Sequence, residues 1–479
     1  KIPVLPISYG DAQPLLAALS GPLAPASWRG GLPLTYRLGP GEARVHLAVK
    51  SDWSLKTLHD VIAKIPGTTE ADQWVVRGNH HDAWVNGAED PISGLVAELE
   101  EARALGEIYK EGWRPKRTII YAAWDGEEPG LLRSTEWAET HDAELAAHGV
   151  AYLNSDTNDR GYLGIEGSHS LEHFINDVAK DVQDPESHVS SWRRNKAAGE
   201  LQNDPNARTG DDLRIGALGS GSDFTPFLQH LGVASLNLGY GGEDDGGIYH
   251  SIYDDFYWYT HFSDTSFVYG RALSQAAGTA VMRLADADVL PFVFTNLAAT
   301  TERYTQELEA LRDRREKDIA DRTHRLDDSA FVIANDPRRP LRPPAPESPP
   351  PHFDFAPLLN AQDSLSKAAQ RFEKAYATWN KHPESGGETA LHKVNDQLVQ
   401  AERALLASDG LKNRPWYKHL LYAPGFYTGY GVKTMPGVRE AIEQGKWSDV
   451  NGEISRVADA LVREATVLNE AARLLSPDR

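Results

Sequence analysis

The sequence predicts an α/β fold: a mixed, mostly parallel central sheet flanked by helices, followed by a helical domain. Three observations predict it. Short β-branched and aromatic runs alternate with helical stretches between residues 55 and 295. Several of those runs end abruptly in acids or histidine, as strands do when their carboxyl ends open onto a site. Beyond residue 296 the apolar period becomes helical and stays so.

In chain order, residues 1–54 are rich in Pro and Gly, with one alternating run, Ala43–Lys50 (ARVHLAVK), that reads as a strand. Trp74–Gly78 (WVVRG) is a short apolar strand. After a polar loop, Leu95, Val96, Leu99, Ala102, Leu105 and Tyr109 recur at helical spacing, and Gly112 stops the helix. Arg117–Trp124 (RTIIYAAW), Val150–Asn154 (VAYLN) and Ala234–Leu238 (ASLNL) are three further buried strands, giving an α/β domain over 55–295. Residues 296–335 read as one long charged helix, and Arg338–Pro351 as an extended proline-rich linker with little packing. Leu391, Val394, Leu398, Ala401 and Leu405 place a helical domain at 296–479.

Composition narrows the chemistry. Lys plus Arg is 49 against 69 for Asp plus Glu, a formal charge of −20, so a nucleic-acid partner is not expected. There are no cysteines, which excludes disulfides and Cys-ligated zinc and leaves His, Asp and Glu as metal ligands. No run of about 18 apolar residues suggests a membrane span. Residues 1–20 are interrupted by Pro3, Pro6, Gly10 and Asp11 and lack the shape of a signal peptide.

The strand ends carry the candidate chemistry. WVVRG runs into Asn79-His80-His81-Asp82 and then Asp90-Pro91; YAAW runs into Asp125-Gly126-Glu127-Glu128; VAYLN runs into Ser155-Asp156; and Tyr249-His250 follows a glycine-rich loop. Adjacent glutamates after a buried strand repel and are poorly solvated unless something positive meets them. A dication offsets both effects. One glutamate can then bind metal while its neighbour faces a water, the arrangement hydrolysis needs. Singly, the His80-x-Asp82 pair is a weak signal, a lone His250 is more often structural, and the Asp125–Gly130 turn is a moderate signal, as readily a solvated acidic turn as a metal site. Together, all at strand ends, they point to metal-assisted hydrolysis.

The segments Gly78–Gly94 (GNHHDAWVNGAEDPISG), Trp124–Glu139 (WDGEEPGLLRSTEWAE), Ala151–Asp156 (AYLNSD), Tyr249–Tyr253 (YHSIY) and Leu421–Pro424 (LYAP) resemble the M28 zinc peptidases, specifically their glutamate carboxypeptidase II-like branch. The resemblance implies a zinc exopeptidase fold and two Zn2+ ions bridged by Asp90. His80 and Asp156 would complete one zinc site, and Glu128 and His250 the other. Glu127 would be the general base, Asp82 the group that orients His80, and Tyr249 the stabiliser of the oxyanion. Gly221, Ser222, Tyr249 and Tyr430 would contact substrate. Glu136 and Glu139 match positions that hold a structural Ca2+ in the family.

The resemblance further implies a peptide substrate, a homodimer through the helical domain, and an exported protein. It places residues 1–54 at the end of an apical protease-associated domain, so that a longer N-terminal portion, any signal included, is expected to precede this chain. Where glutamate-specific enzymes have a lysine, this chain has Gly429, and Leu236–Gly239 contains no arginine. The expected activity is therefore a carboxypeptidase without strict glutamate specificity, with Lys433 as the nearby cation that could restore it. An aminopeptidase is the alternative, which would need an acid placed to bind a free amine; a receptor-like homologue that kept its metal ligands is the other.

Overall fold

The computed structural model describes residues 4–204, 211–244, 246–334, 337–338, 342–383 and 387–476. It falls into two compact units, Lys1–Thr57 and Leu58–Arg479. In the first, Ser8 caps the helix α1 (Tyr9–Ala17) by accepting the Asp11 N–H, and no residue of that helix is buried. The expected strand at Ala43–Lys50 does not form. All eight residues are exposed, and no described segment pairs with them. An alternating pattern becomes a strand only where a neighbouring backbone completes the ladder.

The second unit is built on a six-stranded sheet with strand order β1-β3-β2-β4-β6-β5. The strands are β1 (Val61–Ile65), β2 (Glu70–His80), β3 (Arg117–Trp124), β4 (Gly149–Asn154), β5 (Gly161–Gly167) and β6 (Ala234–Gly242). β3, β2, β4 and β6 run parallel, and the two edge strands run antiparallel to their neighbours. The register levels the ends of the parallel strands: His80 pairs with Trp124, Gly78 with Asn154, and Asn154 with Asn237. Every polar loop that follows a central strand therefore opens at one edge. β1 and β5 were not anticipated. Four of the five β1 residues are exposed, and β5 holds three glycines, so neither carries the apolar alternation that marks a strand.

The helix α2 (Ile92–Lys110) forms as expected, but it buries a different face. Ser93, Gly94, Ala97, Glu98, Glu101 and Leu105 are buried, while Val96 and Leu99 are exposed. The cause is Arg77, fully buried in β2, whose guanidinium meets Glu101 at 3.2 Å and Glu98 at 3.8 Å. A buried charge is tolerated only when paired, so two glutamates turn inward and two aliphatic residues turn out. Arg77 also donates to Ser155 Oγ at 2.7 Å, and Ser155 donates to Asn79 Oδ1 at 2.6 Å. Asn79 in turn donates to the carbonyls of His80 and Pro91. This polar chain lies under the strand ends and holds β2, the start of the β4 loop and the Asp90-Pro91 turn in one arrangement.

Further along come α3 (Leu132–Thr140), α4 (Val268–Asp286), α5 (Phe294–Asp327), α6 (Ala356–Trp379), α7 (Glu388–Ala404) and α8 (Trp447–Leu475). α5 is shorter than expected. It ends at Asp327, Ser329 adopts φ 55°, and a separate turn follows at Ala330–Ile333. Residues 335 and 336 lie outside the described residues. The described part of Arg338–Pro351 has no regular structure, as its prolines require, but it is anchored: Glu347 pairs with Arg315 at 2.6 Å and Arg322 at 3.0 Å, both on α5.

α8 packs on α6 and α7, and α6 packs on α5. One hydrophobic core runs from Val75, Ile119 and Leu236 in the sheet to Phe372, Leu398 and Leu461 in these helices. Arg403 on α7 reaches back to the sheet and donates to the carbonyls of Leu145 and Gly149, the latter the first residue of β4. No helix of the described residues is long and apolar enough to cross a membrane.

Candidate active site

The loops at the strand ends converge. His80, the last residue of β2, places Nε2 3.0 Å from Asp156 Oδ1 and 3.4 Å from Asp90 Oδ1. His250 places Nε2 3.0 Å from Glu128 Oε2 and 3.3 Å from the other Asp90 oxygen. Two three-residue groups result, His80-Asp90-Asp156 and Asp90-Glu128-His250. Both are tight enough to hold a metal ion, and they share Asp90. Asp90 itself is fixed through its backbone: Asp254, buried, accepts the N–H of Glu89 at 2.7 Å and of Asp90 at 3.0 Å.

His80 Nδ1 faces the Asp82 carbonyl at 3.0 Å and the Asp82 carboxylate at 3.4 Å. Nδ1 therefore carries the proton, and the Nε2 lone pair points at the carboxylates, as metal ligation needs. His250 stacks on Tyr249 at 3.8 Å and on Trp84 at 5.3 Å between centroids, which sets its ring plane. Its backbone sits at φ 53°, where few non-glycine residues rest.

Burial and mutual repulsion disfavour the charged carboxylates at this site. Burial pushes Glu127 up to about 9, with Asp223, Asp156 and Glu128 adding to the rise against the pull of His80. Burial, with Asp90 beside it, pushes Glu128 up to about 7. Glu128 Oε1 is buried with no hydrogen-bond partner. Burial opposes a charge on His80, yet Asp156, Asp82 and Asp90 overcome it and raise its pKa. Carboxylates so crowded suit a pair of dications, and the donor set of two imidazoles and three carboxylates fits zinc. The residues present therefore fit that metal.

Glu127 lines the same cavity, of about 590 Å³, as do Asp90, Glu128, Asp156, Tyr249, His250 and Tyr430. Its carboxylate is 3.9 Å from His80 Nε2, farther than the two carboxylates grouped with that histidine. Gly221 and Ser222 also line the cavity; the Ser222 hydroxyl accepts from Asn154 at 3.0 Å and bonds the Asp156 carboxylate. Burial and a hydrogen bond with Tyr430 raise the Tyr249 pKa, so the phenol keeps its proton. Gly429 leaves the Tyr430 wall without a cation, and Lys433 is engaged with Glu443 at 2.8 Å. Glu136 and Glu139 lie exposed on α3, and Glu139 accepts from the Trp416 indole at 2.7 Å. Among the described residues no third acid closes a cation site around them.

Four participants escaped the sequence reading. Trp84 stacks on His250 as just described. Asp223 is fully buried, and burial pushes it to about 7 against the pull of His80 and the Ser134 hydroxyl. Tyr417 and Glu166 line the cavity. The Ser222-Asp223 step after the glycine-rich Gly219–Gly221 was the one local signal for Asp223; Glu166 is placed only by strand pairing.

Acids and histidines gathered at parallel strand ends, with one carboxylate common to two groups, define an α/β protein with a candidate metal site at one edge of its sheet. Residues 60–261 match the model of peptidase family M28, and residues 353–469 match the transferrin receptor-like dimerisation domain. The chain is 32% identical over 481 residues to "Probable glutamate carboxypeptidase LAMP1" of Arabidopsis thaliana, covering 98% of this chain and 61% of that protein. It is 33% identical to a "Probable glutamate carboxypeptidase" of Arthroderma benhamiae, covering 97% and 59%. It is 30% identical to "Aminopeptidase NAALADL1" of Mus musculus, covering 99% and 62%. The chain thus spans about three fifths of the length of these curated relatives.

Proposed function

We propose that this protein is a two-zinc exopeptidase that hydrolyses the peptide bond at a chain end, acting as a carboxypeptidase without a strict demand for glutamate. The observation that carries this is the pair of three-residue groups sharing Asp90, with Glu127 unliganded beside them. His80 and Asp156 would hold one ion, Glu128 and His250 the other, and Asp90 both. Bound there, the metal pair would supply a Lewis acid for the scissile carbonyl and lower the pKa of water.

The chain's own residues do the rest. Glu127, which lines the cavity without belonging to either ligand group, takes the proton of the attacking water and returns it to the leaving amine. Asp82 keeps the proton of His80 on Nδ1. Tyr249, held as a phenol, donates to the developing oxyanion. Tyr430 supports the terminal carboxylate, and the absence of a lysine at Gly429 leaves the terminal side chain without a fixed charge.

The names of the carboxypeptidase relatives support this direction. One observation favours a second reading, an aminopeptidase: Glu166 lines the cavity and could meet a free amine. Assembly as a homodimer through residues 353–469 belongs to the proposal and is supported by the dimerisation-domain match. Export belongs to it too and rests on the family resemblance alone. The test is a peptide panel with free or amidated C-termini and free or acetylated N-termini. We expect cleavage to require the free C-terminus. Indifference to amidation with a strict need for a free amine would overturn the carboxypeptidase direction.

A further inference from the structure

The cavity at the metal-ligand group continues along the sheet edge. A second cavity of about 510 Å³, lined by β5 and β6, shares Asp156, Thr157, Glu166 and Asn237 with the first. Glu166 pairs with Asn237 across β5 and β6, and Asn237 pairs with Asn154 at the end of β4, which leads directly into Asp156. Neighbouring strands are about 5 Å apart, so Glu166 stands roughly 10 Å across the sheet from that end. A peptide with its end bond at Asp90 and Glu127 reaches this region with its next side chain or its amino group.

The charge in this groove is one-sided. The two cavities are lined by Asp90, Glu127, Glu128, Asp156, Asp159 and Glu166, and by no lysine or arginine. Two dications would balance Asp90, Glu127, Glu128 and Asp156. Asp159 and Glu166 would remain, and of the two only Glu166 lines both cavities. No ion pair among the described residues involves it, and it stands exposed on β5 where the two cavities meet. Such a group gains from an arriving positive charge, and a charge-assisted hydrogen bond is the strong kind.

We propose that Glu166 determines specificity by binding an ammonium or guanidinium group of the substrate along β5 and β6. This deepens the exopeptidase reading and rests on it. The cation has two possible sources: a Lys or Arg side chain next to the scissile bond, or the free amino group of a short peptide. An acidic side chain in the same place meets repulsion.

The test compares zinc-loaded wild type, E166Q and E166R on peptide pairs. One pair carries lysine against norleucine next to the scissile bond; the other carries a free against an acetylated amino terminus. The expected result is a preference of about 10-fold or more in kcat/KM for the cationic member of one pair, a ratio near 1 in E166Q, and a preference for glutamate in E166R. The pair that responds to E166Q identifies the source. The same peptides are titrated by calorimetry into E127Q and E127Q/E166Q, where recognition is read without turnover. Discrimination in binding that Glu166 controls, with no hydrolysis by wild type, would sink the exopeptidase reading and keep the cation site. Hydrolysis by wild type with no cation preference, or a preference that E166Q leaves unchanged, overturns the cation site alone. Neither hydrolysis nor discrimination in binding overturns both.

Discussion

The Asp82 carboxylate accepts the backbone N–H of Glu127 at 3.0 Å. Its second oxygen accepts that of Glu128 at 3.2 Å, and Asp82 also faces His80 Nδ1. One side chain thus sets the turn that separates two adjacent glutamates and the tautomer of a candidate ligand. The turn sends Glu128 toward His250 and leaves Glu127 lining the cavity.

The two glutamates should therefore respond differently to substitution. Glu127→Gln is expected to keep its zinc and lose about 10²-fold or more in turnover, since the proposed proton carrier alone would be gone. Glu128→Ala is expected to lower zinc content. Atomic absorption on both variants, beside kcat, checks this; equal zinc loss in the two would refute the division of roles.

Asp90 places one oxygen beside each histidine, so Asp90→Ala would remove a candidate ligand from both groups at once. We expect loss of both metals and of all peptide hydrolysis. Full zinc occupancy in dialysed Asp90→Ala protein would contradict the shared-ligand geometry.

Gly94 sits where α2 passes the site. A Cβ there would overlap the backbone carbonyl oxygen of Asp156 and the Asn79 side-chain oxygen. Gly94→Ala should destabilise the protein by about 1–3 kcal/mol through overpacking, with a lowered Tm and weaker zinc retention. A calorimetric Tm equal to that of the wild type would show that the helix shifts freely.

His169 predicts a pH dependence. It is fully buried, its Nδ1 meets the Tyr422 hydroxyl at 2.8 Å, and burial lowers its pKa from 6.5 to about 3. The folded state therefore resists a proton that the unfolded chain accepts. This stability is complete above pH 6.5 and is lost as pH falls toward 3, by at most about 1.4 kcal/mol per pH unit from this one group. Urea denaturation at pH 7, 6 and 5 should show a shallower loss in His169→Gln; identical slopes would assign the effect elsewhere.

The central strands and the five candidate ligands were legible because both signals are local. A buried β-branched run identifies a parallel strand, and the polar residue that ends it is the one brought to the sheet edge, as with His80 after WVVRG. β1 and β5 were illegible because edge strands expose one face or use glycine, and their identity comes from the partner they pair with. The inward face of α2 was misread because a period of aliphatic residues says nothing of Arg77, a buried charge that outbids Val96 and Leu99 for the inner face. Glu166 was invisible for the same reason as β5: only the cross-strand register with Asn237 carries it to the cavity. Ala43–Lys50 shows the converse, a strand pattern with no described partner.

Arg403 ties α7 to the carbonyl of Gly149, the first residue of β4, and to that of Leu145 just before it. β4 is the strand whose end carries Asp156, and the loops that bring Tyr417 and Tyr430 to the cavity follow α7 in the chain. The C-terminal helices are therefore not a cassette that recombination could exchange freely between relatives. A chimera joined near residue 295 would inherit one lineage's strand and another's guanidinium, and unless the two matched, the mismatch would be felt at the site.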